Sequence, residues 1–262
     1  AAEGGRLMSL LEVKNIYKSF GGVKAIQDFS IRADAGEIHG IIGPNGAGKT
    51  TIFNVISNVY TADQGTVMLD GKDVTRKEQY LVTREGMGRT FQNIRLFKGL
   101  TVLQTVMCAF DPQSNYSIIG GLFPTPKRKS EEKRGIELCE HYLEMVGMAD
   151  YKNERPENLA YGMQRRIEIA RALTCNPKVL LLDEPAAGLN PTEVQELTEL
   201  ISRLSKDIGF AILLIEHRLE LVMTISHIIH VQNFGKTIAV GTPAEIQRNP
   251  EVIEAYLGKE EG

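Results

Sequence analysis

The amino-acid sequence predicts an α/β fold: a mainly parallel sheet, an N-terminal antiparallel β subdomain and an inserted helical subdomain. Two observations carry this prediction. Val179–Leu182 and Phe210–Ile215 are short and wholly apolar, which is typical of strands buried on both faces of a parallel sheet. From residue 101 to residue 147 the pattern changes to helical periodicity, and the α/β pattern then resumes. We therefore expect an α/β core that a helical segment interrupts at about residues 95–165.

The N-terminal part of the chain is predicted to consist mainly of strands, which share apolar or β-branched residues bounded by turn signals. The predicted strands are Leu10–Ser19, Val23–Arg32, Glu37–Ile42, Gly65–Leu69 and Gly88–Gln92. A Gly21-Gly22 turn separates the first two, and an Asp70-Gly71 turn ends the fourth. A helix is predicted over Thr51–Val59.

Three helices are predicted in the middle of the chain. Thr101 is a suitable N-cap for a helix that runs to Phe110. Ser130–Val146 has the apolar spacing of an amphipathic helix. Between these two, Asp111–Lys129 contains several Pro, Gly and Ser residues and is predicted to be a loop. The third helix follows Gly162 and ends near Asn176-Pro177.

The C-terminal part alternates between strand and helix signals, and its helices begin at Asn or Thr caps followed by proline. The predicted elements there are a helix over Pro191–Ser205 with Asn190 as its N-cap, a hairpin of His227–Val231 and Lys236–Val240 around Asn233, a helix at Thr242–Glu245 and a last helix from Asn249 to Gly258.

Composition limits the possible functions. The chain has 262 residues, of which 42% are hydrophobic, so a large domain with a substantial core can form. The formal net charge of -3 gives no reason to expect nucleic acid as a partner. Cys108, Cys139 and Cys175 lack paired or metal-ligand spacing, which indicates a reducing compartment and no structural zinc. No apolar run is long enough to cross a bilayer.

The stretch Gly43-Pro44-Asn45-Gly46-Ala47-Gly48-Lys49-Thr50 fits G-x-x-x-x-G-K-[ST], the pattern of a phosphate-binding P-loop. It lies between a predicted strand and a predicted helix, which is the context that this loop requires. Its glycines allow backbone N–H groups to point at phosphate oxygens, and the helix N-terminus adds partial positive charge. Lys49 is expected to reach the β- and γ-phosphates, and Thr50, next to Thr51, is expected to offer its hydroxyl to Mg²⁺. The sequence therefore predicts a P-loop NTPase core that binds a nucleotide.

Two carboxylates, Asp183 and Glu184, directly follow the apolar strand Val179–Leu182. The strand carries them to the carboxyl edge of the sheet, where α/β proteins bind ligands. Asp183 is expected to hold Mg²⁺ directly or through water. Adjacent side chains at a strand end point in different directions, so Glu184 is expected to polarise an attacking water.

With these motifs in place, the chain resembles the ATPase subunits of ABC transporters, and the similarity covers Leu10 to Gly258. The resemblance implies that Gln92 is the Q-loop glutamine, which contacts Mg²⁺ and communicates with a membrane partner. It implies that His217 is the switch histidine at the γ-phosphate, and that Phe20 stacks on adenine, with Tyr17 as the competing aromatic. Catalysis of ATP hydrolysis is thereby assigned to Glu184, His217 and Lys49.

Residues 159–164, Leu-Ala-Tyr-Gly-Met-Gln, occupy the place of the family signature LSGGQ, and we call them the signature loop. The resemblance implies that Ala160, Tyr161 and Gly162 hold the γ-phosphate of ATP that is bound to a second subunit. Ala160 replaces the usual serine, and losing a hydrogen bond to a charged group costs about 1.5–3 kcal/mol. Met163 replaces the usual glutamine. Residues 187–190, Ala-Gly-Leu-Asn, take the D-loop position expected at the subunit interface.

The resemblance also implies a domain division and a set of partners. We expect one ABC-type domain at residues 8–258, with a core of 8–94 and 166–258 and a helical subdomain at 95–165; residues 1–7 are expected to be an added remnant. The implied cofactors are ATP and Mg²⁺. The implied partners are a second ATPase subunit, identical or homologous, and integral-membrane permease subunits that hold the chain at the cytoplasmic face of the membrane. An extracytoplasmic solute-binding protein is an indirect partner.

Within that family, the chain is most similar to the ATPases of branched-chain amino-acid importers. The similar segments are 90–97, 100–103, 216–219, 241–246 and 254–258. Three alternatives remain open at the level of sequence. The first is an ABC ATPase outside transport, of the DNA-repair or translation type. The second is another P-loop enzyme such as a small-molecule kinase, and the third is a nucleotide-gated binding module with little catalysis.

Overall fold

A ten-stranded mixed sheet organises residues 9–110 and 126–257, the parts of the chain that the computed structural model describes. In chain order the strands are β1 (Leu11–Phe20), β2 (Val23–Ala33), β3 (Ile38–Ile42), β4 (Gln64–Leu69), β5 (Lys72–Asp73), β6 (Met87–Arg89), β7 (Val179–Asp183), β8 (Ala211–Ile215), β9 (Ile228–Asn233) and β10 (Lys236–Gly241). Their order across the sheet is β5-β4-β1-β2-β10-β9-β3-β8-β7-β6. This confirms the predicted α/β class.

Helices cover both faces of this sheet. The α-helices of the described residues are α1 (Lys49–Ile56), α2 (Gln79–Glu85), α3 (Val102–Met107), α4 (Pro126–Met145), α5 (Tyr161–Thr174), α6 (Pro191–Ile208), α7 (Leu219–Ile225), α8 (Pro243–Gln247) and α9 (Pro250–Leu257). In the same residues no helix is both long and apolar enough to span a bilayer.

The sheet has an antiparallel half and a mainly parallel half. β1 pairs antiparallel with β2 and β4, and β4 pairs antiparallel with β5. On the other side, β6, β7, β8, β3 and β9 follow one another in parallel. The halves meet where β10 runs parallel to β2, with Lys236 opposite Gln27.

The central strands are buried on both faces, as the apolar stretches Val179–Leu182 and Phe210–Ile215 predict for β7 and β8. Every residue of β3, β7 and β8 is buried. Because strand side chains alternate, Ile212 and Leu214 join one hydrophobic core, whereas Leu213 and Ile215 join the other. Helices α3 to α7 contribute to the first core, and α1 packs into the second.

The register of the central strands decides where the functional loops lie. Ile41 of β3 and Asp183 of β7 both pair with Ile215 of β8. All three strands are parallel, so the loops that follow them leave from the same edge of the sheet. This edge receives the P-loop after β3, the two carboxylates after β7, and His217 after β8.

Several predicted boundaries differ from the structure. Helix α1 begins at Lys49, two residues before the predicted Thr51, because Gly48 has a left-handed φ of 97° and the helix starts directly from the loop. Strand β6 ends at Arg89, so Gln92 lies in a loop and the predicted strand over residues 88–92 is wrong at its end. The β9–β10 turn is Phe234-Gly235 and does not centre on Asn233.

Other differences concern whole segments. Residues 126–129 were predicted as loop but form the first turn of α4, whose proline at position 126 suits a helix start. The rest of that predicted loop, 111–125, and the predicted helix end at Gly258 lie outside the described residues. Helices α2 and α7 were not predicted, because each is only seven residues long and its amphipathic period is correspondingly weak.

Two histidines are buried together on the neighbouring strands β3 and β9. His39 of β3 stacks on His230 of β9 with ring centroids 5.6 Å apart, and His39 Nδ1 lies 3.4 Å from His230 Nε2. Glu37 Oε2 lies 3.0 Å from the other ring nitrogen of His39. Burial lowers the pKa of His39, and burial together with His39 lowers the pKa of His230 to about 3.

These pKa shifts predict acid sensitivity. In the unfolded chain a histidine binds a proton below about pH 6.5, whereas folded His230 stays neutral, so stability falls as the pH falls. His230→Phe removes this group next to the ring of Phe29. Between about pH 6 and about pH 4, we expect unfolding free energy to fall less steeply in the variant, by up to about 1.4 kcal/mol per pH unit. Denaturant titrations across this range measure the slope, and equal slopes for both proteins would contradict the prediction.

Candidate active site

The P-loop is folded to receive an anion. Glycines 43, 46 and 48 all have positive φ, of 149°, 79° and 97°. Gly48 is the N-cap of α1, and no side chain caps this helix. The first N–H groups of α1 therefore lack intrahelical acceptors and face the loop, where a phosphate can satisfy them. The predicted phosphate cradle is consistent with this geometry.

The loop also needs glycine because neighbouring backbone lies close to it. A Cβ on Gly48 would lie 2.3 Å from the carbonyl oxygen of Ala25, and one on Gly43 would lie 2.1 Å from that of Gln232. The β9–β10 turn supports the loop from outside, since Gly235 N–H donates to the carbonyl of Ala47 over 3.1 Å. Sequence reasoning did not find this support, because it depends on contacts between distant segments.

Lys49 is held inside the loop. Its ammonium donates to the carbonyl of Gly43 over 2.7 Å and to that of Pro44 over 2.9 Å. Burial lowers the pKa of Lys49, while Glu184 and Asp183 raise it. The ammonium group therefore lies at the base of the cradle, close to two carboxylates whose negative charge favours its protonated form.

A cleft of about 680 Å³ opens in front of the P-loop. Among its lining residues are the predicted Asn45, Gly46, Ala47, Gly48, Lys49, Thr50, Thr51, Gln92, Glu184 and His217. The structure thus brings four distant segments of the chain to one cavity: the P-loop and the segments around Gln92, Glu184 and His217. Val23, Lys24 and Phe234 also line the cleft, and sequence reasoning missed them.

Glu184 is held between two side chains at the mouth of this cleft. Gln92 Nε2 donates to Glu184 Oε2 over 2.7 Å, and His217 Nε2 lies 2.8 Å from Glu184 Oε1. The backbone of Glu184 has a left-handed φ of 48°, and its N–H donates to the carbonyl of Ile215 over 2.9 Å. A non-glycine residue in this region is unfavourable by itself, so the surrounding contacts must stabilise the turn.

Glu216, which the sequence analysis passed over, stabilises that turn. Its side chain is buried, with one oxygen accepting from Ala186 N–H over 2.6 Å and the other from His217 N–H over 3.0 Å. Burial raises the pKa of Glu216, whereas these backbone donors lower it. One carboxylate therefore links the segment after β7 to the segment after β8. A carboxylate directly after an apolar strand was the available sequence signal.

Asp183 lies behind the cleft in an ion pair. Arg89 Nη2 lies 3.1 Å from Asp183 Oδ2, and both side chains are buried. Arg89 Nη1 donates to Ser57 Oγ, at the C-cap of α1, over 2.8 Å. Burial raises the pKa of Asp183, while Arg89 lowers it. The arginine was not predicted as a site residue, although its charge lies within the predicted strand Gly88–Gln92.

The predicted base-stacking residue, Phe20, lies next to the turn whose Gly22 and Val23 line the cleft. Phe20 is absent from the described residues that line the cavity; its ring meets Tyr60 edge-on with centroids 5.2 Å apart, and Lys18 Nζ lies 5.4 Å above it. Phe234 lines the cavity and is 82% exposed. The role assigned to Phe20 stays a prediction.

The signature loop is also separate from this cleft. Ala160 is the N-cap of α5 and offers no side-chain hydrogen bond, while Tyr161 and Gly162 form the first turn. None of the three is among the described residues that line the cavity. The tip of α5 is therefore, like that of α1, a helix N-terminus without a side-chain cap, and it does not line the cleft at its own chain's P-loop.

Thr50, Asp183 and Gln92 were predicted to hold Mg²⁺. Within the described residues no three His, Cys, Asp or Glu side chains converge as a metal site. Mg²⁺ in nucleotide sites takes one or two protein ligands together with phosphate oxygens and water. A hydroxyl at Thr50 and a carboxylate at Asp183 on the same sheet edge fit that sparse set of ligands.

A P-loop at the end of the buried strand β3, with a carboxylate pair at the end of β7, the parallel strand beyond β8, defines a P-loop nucleoside triphosphatase. Two family models match the sequence: ABC transporter over residues 26–187, and branched-chain amino acid ATP-binding cassette transporter over residues 236–262. Because the first match covers more than half of the chain, the protein belongs to the ABC transporter family. It is an ATPase subunit of that family.

Similar proteins agree with this assignment. The high-affinity branched-chain amino acid transport ATP-binding protein BraF of Pseudomonas aeruginosa is 42% identical over 95% of this chain and 98% of its own length. LivG of Salmonella typhimurium, which carries the same description, is 43% identical with the same coverage. A nucleotide-free ATP-binding cassette from an ABC transporter superimposes with a TM-score of 0.83 at 32% identity, covering 96% of this chain and 100% of that chain. The ADP conformation of an ATP-binding cassette gives 0.82 at 32% identity with the same coverage.

Two glycine variants test the cradle. Gly48→Ala and Gly46→Ala both place a side chain at positive φ, but only position 48 meets neighbouring backbone, whereas Gly46 has open space within 4 Å. We expect Gly48→Ala to weaken nucleotide binding at least about tenfold more than Gly46→Ala does, which is about 1.4 kcal/mol. Equilibrium titration with a fluorescent ATP analogue measures both affinities, and equal losses would contradict the steric argument.

Proposed function

We propose that this chain hydrolyses Mg-ATP in the cleft, with Glu184 polarising the attacking water. The observation that carries the proposal is the placement of Glu184, which Gln92 and His217 hold through its two oxygens beside the P-loop. A carboxylate in this position can accept a proton from a water that approaches the γ-phosphate. His217 contacts the γ-phosphate and holds one oxygen of the Glu184 carboxylate, and Gln92 orients the same carboxylate through its other oxygen.

The remaining site residues bind the substrate. Backbone N–H groups of residues 45–51 hold the phosphates, with Gly43 and Pro44 shaping the loop, and Lys49 leaves the carbonyls of those two residues to reach the β- and γ-phosphates. Thr50 and Asp183 hold Mg²⁺, with Gln92 as an additional contact, and Phe20 stacks on adenine. Mg²⁺, when bound, neutralises charge on the β- and γ-phosphates.

The signature loop serves the nucleotide of a second subunit. Its helix tip has the same anion-binding character as the P-loop but lies outside this chain's own cleft. In a dimer, Ala160, Tyr161 and Gly162 of one copy would meet the γ-phosphate held by the other copy. ATP then favours the closed dimer, and cleavage removes that preference.

Glu184→Gln tests the catalytic role. The amide keeps the size of the side chain but cannot accept a proton from water, so we expect ATP turnover to fall about a hundredfold or more with nucleotide binding retained. Steady-state phosphate release and titration with a fluorescent ATP analogue measure the two quantities. Glu199→Gln, at an exposed position of α6, is the matched control and should behave as wild type.

Wild-type turnover by Glu184→Gln would rule out Glu184 as the activating residue. The same variant also tests the dimer, because it retains ATP. Saturated with Mg-ATP, it should sediment as a dimer in analytical ultracentrifugation. If Glu184→Gln saturated with Mg-ATP stays monomeric by itself, and only one copy joins the complex with the membrane partners, a nucleotide site shared between two copies is excluded.

We further propose that the chain powers import of branched-chain amino acids. The support is the match of residues 236–262 to the branched-chain family model and the names of relatives that are 42–43% identical. In this proposal integral-membrane permease subunits hold the chain at the cytoplasmic face of the membrane. A solute-binding protein outside the membrane delivers the amino acid to the permease. The non-transport alternatives are not favoured by these relatives.

Transport can be tested with the assembled complex in proteoliposomes. With ATP on the side of this subunit, we expect accumulation of labelled leucine that excess isoleucine inhibits and excess lysine does not, because only isoleucine shares the branched apolar side chain. The complex that carries Glu184→Gln should accumulate none. ATP-driven efflux of leucine, or uptake that lysine inhibits equally well, would contradict the proposal.

A further inference from the structure

A buried ion pair on helix α5 lies outside the functional roles assigned above. Arg165 and Glu168 are three residues apart on α5, and both side chains are fully buried. Arg165 Nη1 lies 2.6 Å from Glu168 Oε2. Removing two charges from water carries a large desolvation penalty, and a buried pair is weak evidence for stability by itself. The contacts of this pair with other segments therefore indicate what it does.

Both side chains hydrogen-bond to the backbone of the segment Phe91-Gln92. Arg165 donates to the carbonyl of Phe91 over 2.9 Å and to that of Gln92 over 3.0 Å. Glu168 Oε1 accepts from Phe91 N–H over 3.3 Å. The N–H and the carbonyl of Phe91 are thus both bound by side chains from one turn of α5.

These contacts begin where the sheet ends. Thr90 N–H still donates to the carbonyl of Leu181 over 3.0 Å, as in the β6–β7 ladder. From Phe91 onward the segment leaves the sheet, and a buried backbone needs other partners. Arg165 and Glu168 supply those partners, and they do so from the helix that begins at the signature loop.

The arginine reaches the signature loop as well. Arg165 Nη2 lies 3.4 Å from the hydroxyl of Tyr161, and the guanidinium lies 5.8 Å from the centre of that ring. On the other side, Gln92 contacts Glu184. A continuous set of contacts therefore runs from Tyr161 through the ion pair to Gln92 and on to Glu184.

We propose that Arg165 and Glu168 are positioning residues that join the Gln92 segment and the signature loop into one rigid unit. When the signature loop moves against the nucleotide of a second subunit, Gln92 moves with it as part of the same rigid body. The position of Gln92 relative to Glu184 therefore changes. The guanidinium fork suits this task because it spans two successive carbonyls and a carboxylate, which a lysine ammonium cannot do in one geometry. This inference rests on the roles proposed for Gln92 and Glu184.

A double-mutant cycle tests the inference. Removing one charge would leave the other buried and unpaired, so the test variant is Arg165→Met together with Glu168→Met, which replaces the pair with apolar groups of similar volume. We expect kcat to fall about tenfold to a hundredfold while the affinity for a fluorescent ATP analogue stays within about twofold. In a Gln92→Ala background, the same substitutions should lower kcat by less than about twofold, because their effect passes through Gln92.

Two further variants separate positioning from general stability. Arg165→Lys keeps the charge but loses the fork, so kcat should still fall while thermal unfolding stays close to wild type. Lys133→Met with Glu137→Met removes an exposed ion pair of α4, whose side chains are 78% and 64% exposed, and should change neither kcat nor unfolding. Hydrogen exchange resolved at the Phe91 amide should accelerate in the Arg165 and Glu168 variants and stay unchanged in the α4 control.

The outcomes are distinct. An undiminished loss of kcat in the Gln92→Ala background would overturn the inference, as would wild-type kcat in Arg165→Met with Glu168→Met. Failure of the proposed function would show independently, as wild-type turnover by Glu184→Gln. The rigid unit is supported if Arg165→Met with Glu168→Met lowers kcat when Gln92 is present but not in the Gln92→Ala background, and if hydrogen exchange at the Phe91 amide becomes faster.

Discussion

The site depends on the parallel register of three buried strands. Ile41, Asp183 and Ile215 lie in one row across β3, β7 and β8, so the residues that follow them leave from a common edge. The functional groups are attached to this row within a few residues: the P-loop, the Asp183-Glu184 pair and His217. Their relative positions are thereby set by backbone hydrogen bonds of the sheet, and side-chain contacts only refine them. A precise site on a rigid sheet edge is what ATP hydrolysis requires, since misplacement of about 1 Å is costly.

The refining contacts have one feature in common: a buried charged side chain links segments that are distant in the sequence. Glu216 links the turn after β7 to His217, Arg89 links Asp183 to the end of α1, and Arg165 links α5 to the Gln92 segment. Buried charges of this kind have large desolvation costs, and they are tolerated where each is paired or hydrogen-bonded. Their concentration around the cleft indicates that they serve to fix geometry at the site.

Much of this arrangement could be predicted from the sequence, because the signals were local. The apolar strands, the glycine pattern and the carboxylates after β7 lie in short contiguous stretches, and the α/β class and the ATPase family are confirmed. The bridging charges could not be identified in the same way, since the partner of Arg165 in sequence is Glu168 but its targets at Phe91 and Gln92 are more than 70 residues away. The turn at Phe234-Gly235, which supports the P-loop, is hidden from sequence reasoning for the same reason. Short helices such as α2 and α7 were missed because seven residues give too few periods to count.

Helix α1 is anchored at both ends to parts of the same site. Its first residue is Lys49 in the phosphate cradle, and its C-cap, Ser57, is bonded to the arginine that pairs with Asp183. The helix therefore acts as a strut of fixed length between the phosphate-binding end and the carboxylate of β7. The hydrogen bond and ion pair that anchor its C-terminal end come from β6 and β7, not from side chains of α3, α4 or α5. The phosphate-binding loop and the proposed dimer contact therefore lie at the tips of different helices, so that each site of the proposed dimer would combine a half fixed to the sheet of one copy with a half carried by α5 of the other.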